Sequence, residues 1–218
     1  MAEKARLRRK DIKQPDEFIT RSRQVVGWAR QHQQLMTWGG VGVVVLLAAL
    51  GIATAYRGAR VRDANADLSR ALIKLSANDY AGASNELLEL SARWDGTDVA
   101  SVAALFGANA AISAGNPDRA ITELVRLQGN AAQLEPYLQQ QVLVAWGAAL
   151  ERKQQWLEAA AKYKDATALS GPYTADAVLG EARARERGGE TERARELYRQ
   201  AYDQFPDLPD RDLIAAKL

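Results

Sequence analysis

The chain of 218 residues contains no cysteine and a single histidine, His32. Without cysteine there is no disulfide framework, no thiolate nucleophile and no thiolate-bound metal. With its one imidazole at position 32, the long C-terminal part has none for Cys/His or Ser/His/Asp catalysis. From residue 57 onward strand-like alternation is also missing and β-branched runs are scarce. Ala, Leu, Glu, Arg and Gln dominate there, which predicts helix.

A further absence is local. Charged residues make up 26% of the chain, yet none with a permanent charge lies between Arg30 and Arg57. The strongly apolar part, Met36 to Tyr56, would reach about 30 Å as a helix, enough for the hydrocarbon core of a bilayer. Trp38 and Tyr56 stand at its ends, where amphipathic rings favour the interface. A buried core helix would be shorter or amphipathic. A cleavable signal peptide is the stronger rival, because Ala53-Thr54-Ala55 has the small-x-small pattern of a cleavage site. The head of more than thirty residues favours an uncleaved single span instead. Arg8-Arg9 is not read as a twin-arginine signal, since Asp11 follows and the apolar run begins far downstream.

Charge is placed unevenly. Nine basic and four acidic residues fall within 1–30, and the remainder carries a slight acidic excess against a net charge of +2. The acidic body argues against nucleic-acid binding. The density of Lys and Arg before Met36 predicts a cytoplasmic N-terminus and a body across the membrane. Within the head, Gln14-Pro15-Asp16-Glu17 reads as a helix start. Phe18, Ser22, Val25, Val26 and Ala29 then share one face. That segment is either a juxtamembrane helix on anionic headgroups or a partner, or only a topology signal.

The body shows a period. Asn78-Asp79, Gly115-Asn116, Gln154-Gln155 and Gly189-Glu190 are each followed by an alanine five residues after the first position: Ala83, Ala120, Ala159 and Ala194. Four residues after each alanine stands Leu87, Leu124, Tyr163 or Tyr198, and seven after stands Leu90, Leu127, Ala166 or Ala201. The last unit carries Gly180, Ala194, Tyr198, Ala201 and Pro206, and the third carries Trp146, Gly147, Ala159, Tyr163 and Ala166. This pattern resembles the tetratricopeptide repeat, a helix–turn–helix unit in which small residues let two helices cross closely. The first two units lack the aromatic and the proline, and an unrelated Ala-rich helical bundle is the alternative. The expected fold is all-α: head 1–35, transmembrane helix 36–56, and a tetratricopeptide-like solenoid over 57–218. Such stacks bury each pair against its neighbours and offer a surface to peptides or proteins.

Setting each aligned alanine at the twentieth repeat position puts Leu68, Leu72 and Leu75, then Leu105, Asn109 and Ile112, then Val144 and Ala148, then Leu179 and Arg183 on the inner helices. These are the candidate protein-binding groove, although helical periodicity alone leaves open whether the leucines are core. Asn109 suits a carboxylate clamp, but Leu105 stands where a lysine would be needed, so a clamp is not expected. Glu86/Glu89, Asp176/Glu181 and Glu190/Glu192 read as solvated faces. No catalytic, cofactor-binding or metal-ligating residue is expected, and the chain is read as a non-enzyme.

The layout of head, span and repeat body resembles the ancillary subunit of the bacterial Sec translocon. The similar stretches are Ala103-Ala104-Leu105 through Ala110-Ala111 before Gly115-Asn116-Pro117-Asp118-Arg119-Ala120, and Gly180-Glu181-Ala182 with Gly189-Glu190 and Ala194-Arg195. The tail from Leu213 to Leu218 suits that family too, and the resemblance covers roughly residues 30–218. It implies an inner-membrane protein with a periplasmic body. Such a protein stays beside the translocon and passes emerging client chains to periplasmic chaperones. The other class kept open is an architectural subunit of a different envelope machine, such as a cell-division, outer-membrane or cytochrome c assembly.

Overall fold

The computed structural model describes residues 33–208 and 211–218. The basic head, the juxtamembrane helix expected within it and His32 lie outside them. The chain divides into two compact units, Met1–Gly58 and Ala59–Leu218. Among the described residues the regular elements are helical: α1 (Gln33–Ser76), α2 (Tyr80–Arg93), α3 (Asp98–Ser113), α4 (Pro117–Gly129), α5 (Pro136–Arg152), α6 (Trp156–Thr167), α7 (Thr174–Arg187), α8 (Thr191–Gln204) and α9 (Arg211–Ala215), with one 3₁₀ turn at Ala131–Gln133. No strand occurs among them.

In the first unit, α1 is long and apolar enough to cross a membrane, with a mean hydropathy of 1.8 over its most apolar window. None of that window is buried. Val44, Leu47 and Ile52 are all more than half exposed. The helix does not stop at Tyr56, where the sequence suggested a boundary. Residues 57–76 contain no Pro, and Ala64, Leu68, Ala71, Leu72 and Leu75 recur at helical spacing. The first break in that pattern is at Asn78.

α1, α3, α5 and α7 are each followed by the next even-numbered helix through the same three-residue turn. Each turn passes through one left-handed residue: Asn78 (φ 60°), Gly115 (φ 79°), Gln154 (φ 60°) and Gly189 (φ 87°). The next N–H then reaches back five residues. Asp79 donates to Lys74 O at 3.0 Å, Asn116 to Ala111 O at 2.8 Å, Gln155 to Leu150 O at 3.0 Å and Glu190 to Arg185 O at 2.9 Å. This Schellman pattern satisfies carbonyls that the helix end would otherwise leave open. Asp79 and Asn116 serve a second purpose as N-caps, accepting from the N–H groups of Gly82 and Arg119. One short segment thus ends one helix and starts the next.

The turn forces each pair to pack side by side, and small residues let it do so closely. Twelve residues separate Ala71 from Ala83, Ala108 from Ala120, Gly147 from Ala159 and Ala182 from Ala194. Seven of these eight are alanines no more than 1% exposed, and Gly147 is buried. The residues four and seven beyond each second alanine are buried as well, including Leu87, Leu124, Tyr163 and Tyr198. The odd-numbered helices also meet one another. Ala64 and Ala71 of α1 share a core cluster with Val99 and Ala103 of α3, and α5 packs on both α3 and α7. The even-numbered helices α2 and α4 meet through side chains, Arg119 donating to Asn85 and Arg126 to Ser91.

The close crossing makes a direct prediction. Ala194→Leu should overpack the α7–α8 contact and cost about 1–3 kcal/mol. Ala161→Leu, at an exposed position of α6, should be nearly neutral because the two residues have similar helix propensity. Thermal melts of both variants measure this, and equal midpoints would refute the crossing.

Candidate functional site

The sequence-predicted inner residues fall into two groups. Leu105 (1% exposed) and Ile112 (8%) lie in the core with Leu124, Leu138 and Val142. They are therefore not open groove positions, because the α4 and α5 side chains cover them. Leu68, Leu72 and Leu75 are half-buried against the core of the α1–α2 pair, and Asn109 is half-buried on α3. Val144, Ala148, Leu179 and Arg183 are brought together. They line one cavity of about 390 Å³ between α5 and α7, with Tyr163, Asp176, Leu208 and Ile214 completing it.

Small residues shape this region. The Tyr163 ring lies between α5 and α7, where a Cβ on Gly147 would come within 2.7 Å of it and one on Gly180 within 2.5 Å. Burying a ring of this size removes on the order of 150–250 Å² from water. At about 25 cal/mol per Å² this favours the packed state by roughly 4–6 kcal/mol before conformational costs. The hydrogen bond at its end contributes less, about 1.5–3 kcal/mol for a charged acceptor. Packing therefore sets where the ring goes, and the phenol then fixes its neighbours.

Those neighbours form a polar network that sequence reasoning missed. Tyr163 Oη donates to Glu151 Oε2 at 3.0 Å. Arg183 grips the same carboxylate in a fork, Nε to Oε1 at 2.9 Å and Nη2 to Oε2 at 2.8 Å. The pattern recurs one pair later, where Tyr198 Oη donates to Glu186 Oε2 at 2.9 Å and Lys217 Nζ to Glu186 Oε1 at 2.6 Å. Glu151 and Glu186 each precede their tyrosine by twelve residues, and the two sets are 35 residues apart. The corresponding pairs earlier in the chain are apolar, Leu75 with Leu87 and Ile112 with Leu124. That recurrence was the signal available in the sequence.

The electrostatics follow from this geometry. Burial pushes both phenols above their ordinary range, helped by the nearby Glu151 and Glu186 carboxylates. The hydrogen bond to Glu151 raises the Arg183 guanidinium, so it stays charged. Its charge is committed to Glu151 and is not spare for a ligand's carboxylate. Arg183 is about half exposed, and such pairs contribute about 0.2–1 kcal/mol, so the fork positions rather than stabilises. Among the described residues no ion pair engages Asp176, which leaves a carboxylate on the cavity wall.

A second hub was also missed. Gln140, 0% exposed, places its two Nε2 hydrogens among three acceptors, the carbonyls of Leu169 (2.7 Å) and Ala166 (3.2 Å) and Thr174 Oγ1 (3.0 Å), and its Oε1 accepts from Tyr173 N–H. It fastens α5 to the loop between α6 and α7, and a Cβ on Gly171 would meet its Oε1 at 2.4 Å. Nothing in the run Gln139-Gln140-Gln141 distinguishes it. Among the described residues no cluster of His, Cys, Asp or Glu could hold a metal ion.

A scan against protein-family models finds no match, and a search of curated proteins finds none either. The cavity is lined by Val144, Ala148, Leu179, Leu208 and Ile214, with Tyr163, the Glu151-paired Arg183 and the Asp176 carboxylate as its polar groups.

Two expectations test this description. Leu105→Asp should bury an unpaired carboxylate and unfold the second unit, whereas Leu179→Asp at the half-buried cavity wall should keep its helical circular dichroism. Retention of structure by Leu105→Asp would contradict the core assignment. The second concerns pH. A phenol raised by folding contributes stability that is present below its ordinary value near pH ~10 and is lost as pH rises beyond it. Between pH 8 and pH 11 the native chain should lose more of its melting temperature than the Tyr163→Phe/Tyr198→Phe variant, and equal losses would mean that the phenols ionise freely.

Proposed function

We propose that this chain is a membrane-anchored scaffold that binds other proteins through the face of its odd-numbered helices. The observation that carries the reading is the fourfold recurrence of one turn and one small-residue crossing, in a chain whose α1 is long and apolar enough to span a bilayer. That recurrence supports a tetratricopeptide-like solenoid. The contacts among odd-numbered helices support a closely spaced inner layer facing a partner. Val144, Leu179 and Arg183 are the residues we assign to protein contact.

In this reading the N-terminus is cytoplasmic and residues 57–218 are periplasmic, at a bacterial inner membrane. The basic residues before Met36 support that orientation. The partners are Sec translocon subunits, periplasmic chaperones or secreted client chains, which the resemblance to the translocon's ancillary subunit implies. Protease added to spheroplasts should digest the body and spare the head, and digestion of the head alone would overturn the orientation. Affinity purification in mild detergent should recover translocon subunits. Recovery of division, outer-membrane or cytochrome c assembly proteins instead would move the scaffold to another envelope machine.

A further inference from the structure

The final segment of the chain is seated where the repeat pattern would place the next odd-numbered helix. Gly180 and Arg183 of α7 meet Tyr163 and Glu151 of the preceding pair. Thirty-four residues later Ile214 joins the cluster of Val178, Ala182, Leu197 and Tyr198, and Lys217 meets Glu186. An apolar contact followed three residues on by a cation on a Tyr-bound glutamate therefore occurs twice.

The two occupants are held very differently. α7 runs for 14 residues and buries six, including Ala177, Val178 and Ala184. α9 runs for five and buries only Ile214, while Leu213 beside it is 68% exposed. Ile214, the Lys217–Glu186 ion pair and Arg211, which stacks on the Tyr202 ring at 3.7 Å and donates to the Tyr202 carbonyl, hold residues 211–218 to this seat. Leu208 and Ile214 also form part of the cavity that holds Val144, Leu179 and Arg183. The tail thus borders the surface assigned above to protein contact.

We infer that the end of α7 and α8 is a docking seat for a short partner helix carrying an aliphatic residue and a Lys or Arg three positions after it. Residues 211–218 are its resident occupant, displaced when the partner helix binds. The seat itself dictates this chemistry. Val178, Ala182 and Tyr198 form an apolar floor, and Glu186 supplies a carboxylate for a cation. Asp176 on the adjoining wall adds a second negative charge. The inference rests on the scaffold reading. An assay with a self-derived peptide reads the seat alone, and co-purification reads the partner, so either can fail without the other.

The test uses the full chain in mild detergent, a variant lacking residues 211–218, and a fluorescent peptide of residues 205–218. Anisotropy should show the peptide binding the shortened chain at least tenfold more tightly than the intact one. Lys217→Glu in the peptide should cost tenfold or more, and Glu186→Lys in the protein should restore it. Absence of binding to a shortened chain that keeps its circular dichroism would overturn the inference, as would equal binding by both chains. If the shortened chain loses its helical signal, the full-length Ile214→Ala/Lys217→Ala variant takes its place and the same two readings apply. A dimer of the intact chain that grows with concentration in light scattering would assign the seat to a second copy's tail and overturn the partner-helix proposal.

Discussion

The close crossing of two helices at small residues is the constraint on which the second unit depends. At Ala71 and Ala83, Ala108 and Ala120, Gly147 and Ala159, and Ala182 and Ala194, no side chain larger than a methyl group separates the pair. The crossing brings the backbones near enough that the large residues beyond it, Leu87, Leu124, Tyr163 and Tyr198, are all buried. The turn depends on the same geometry. Three residues suffice to reverse the chain only because one adopts a left-handed conformation, at Asn78, Gly115, Gln154 and Gly189. Glycine does this freely, and for Gln154 the conformation costs roughly 1–2 kcal/mol. The packing of Ala159, Ala160 and Tyr163 behind it offsets that strain.

On this shared frame the two halves of the second unit differ in chemistry. The earlier pairs join through aliphatic contacts, Leu75 near Leu87 and Ile112 near Leu124. The later pairs replace those contacts with Glu151–Tyr163 and Glu186–Tyr198. A carboxylate at such a position needs a donor from outside its own pair, because the tyrosine alone leaves its charge unbalanced. Arg183 meets that need for Glu151 and Lys217 for Glu186. Each later pair is therefore completed by the segment that follows it. The earlier pairs, being apolar, have no such requirement.

The period of the body was legible in the sequence because it is written in residues whose physical role is local. Turn formers and buried alanines recur at 35 to 39 residues whatever lies around them. The all-α class and the apolar run were legible for the same reason. The continuation of α1 to Ser76 was masked by three arginines just after Tyr56, which suggested a boundary although arginine is a good helix former. The polar network was not legible, since Glu151 reads as a solvated acid until a residue 32 positions later is known to face it. Gln140 was hidden in a polar run, and its burial depends on a loop 26 to 34 residues away.

The candidate groove divides along the same line. Leu105, Val144 and Leu179 hold equivalent positions, yet only Leu105 is sealed. Around Leu105 the neighbours are large: Leu124, Leu138 and Val142 close over it. Val144 and Leu179 instead stay half-buried on a cavity wall shared with Ala148, Tyr163, Asp176 and Arg183. Gly147 and Gly180 admit the Tyr163 ring, which forms part of that wall where the earlier pairs pack leucine. The tyrosine in turn fixes Glu151, and Glu151 holds Arg183 at the cavity's edge. The tyrosine that makes the third pair depend on the fourth is thus also part of the surface between them.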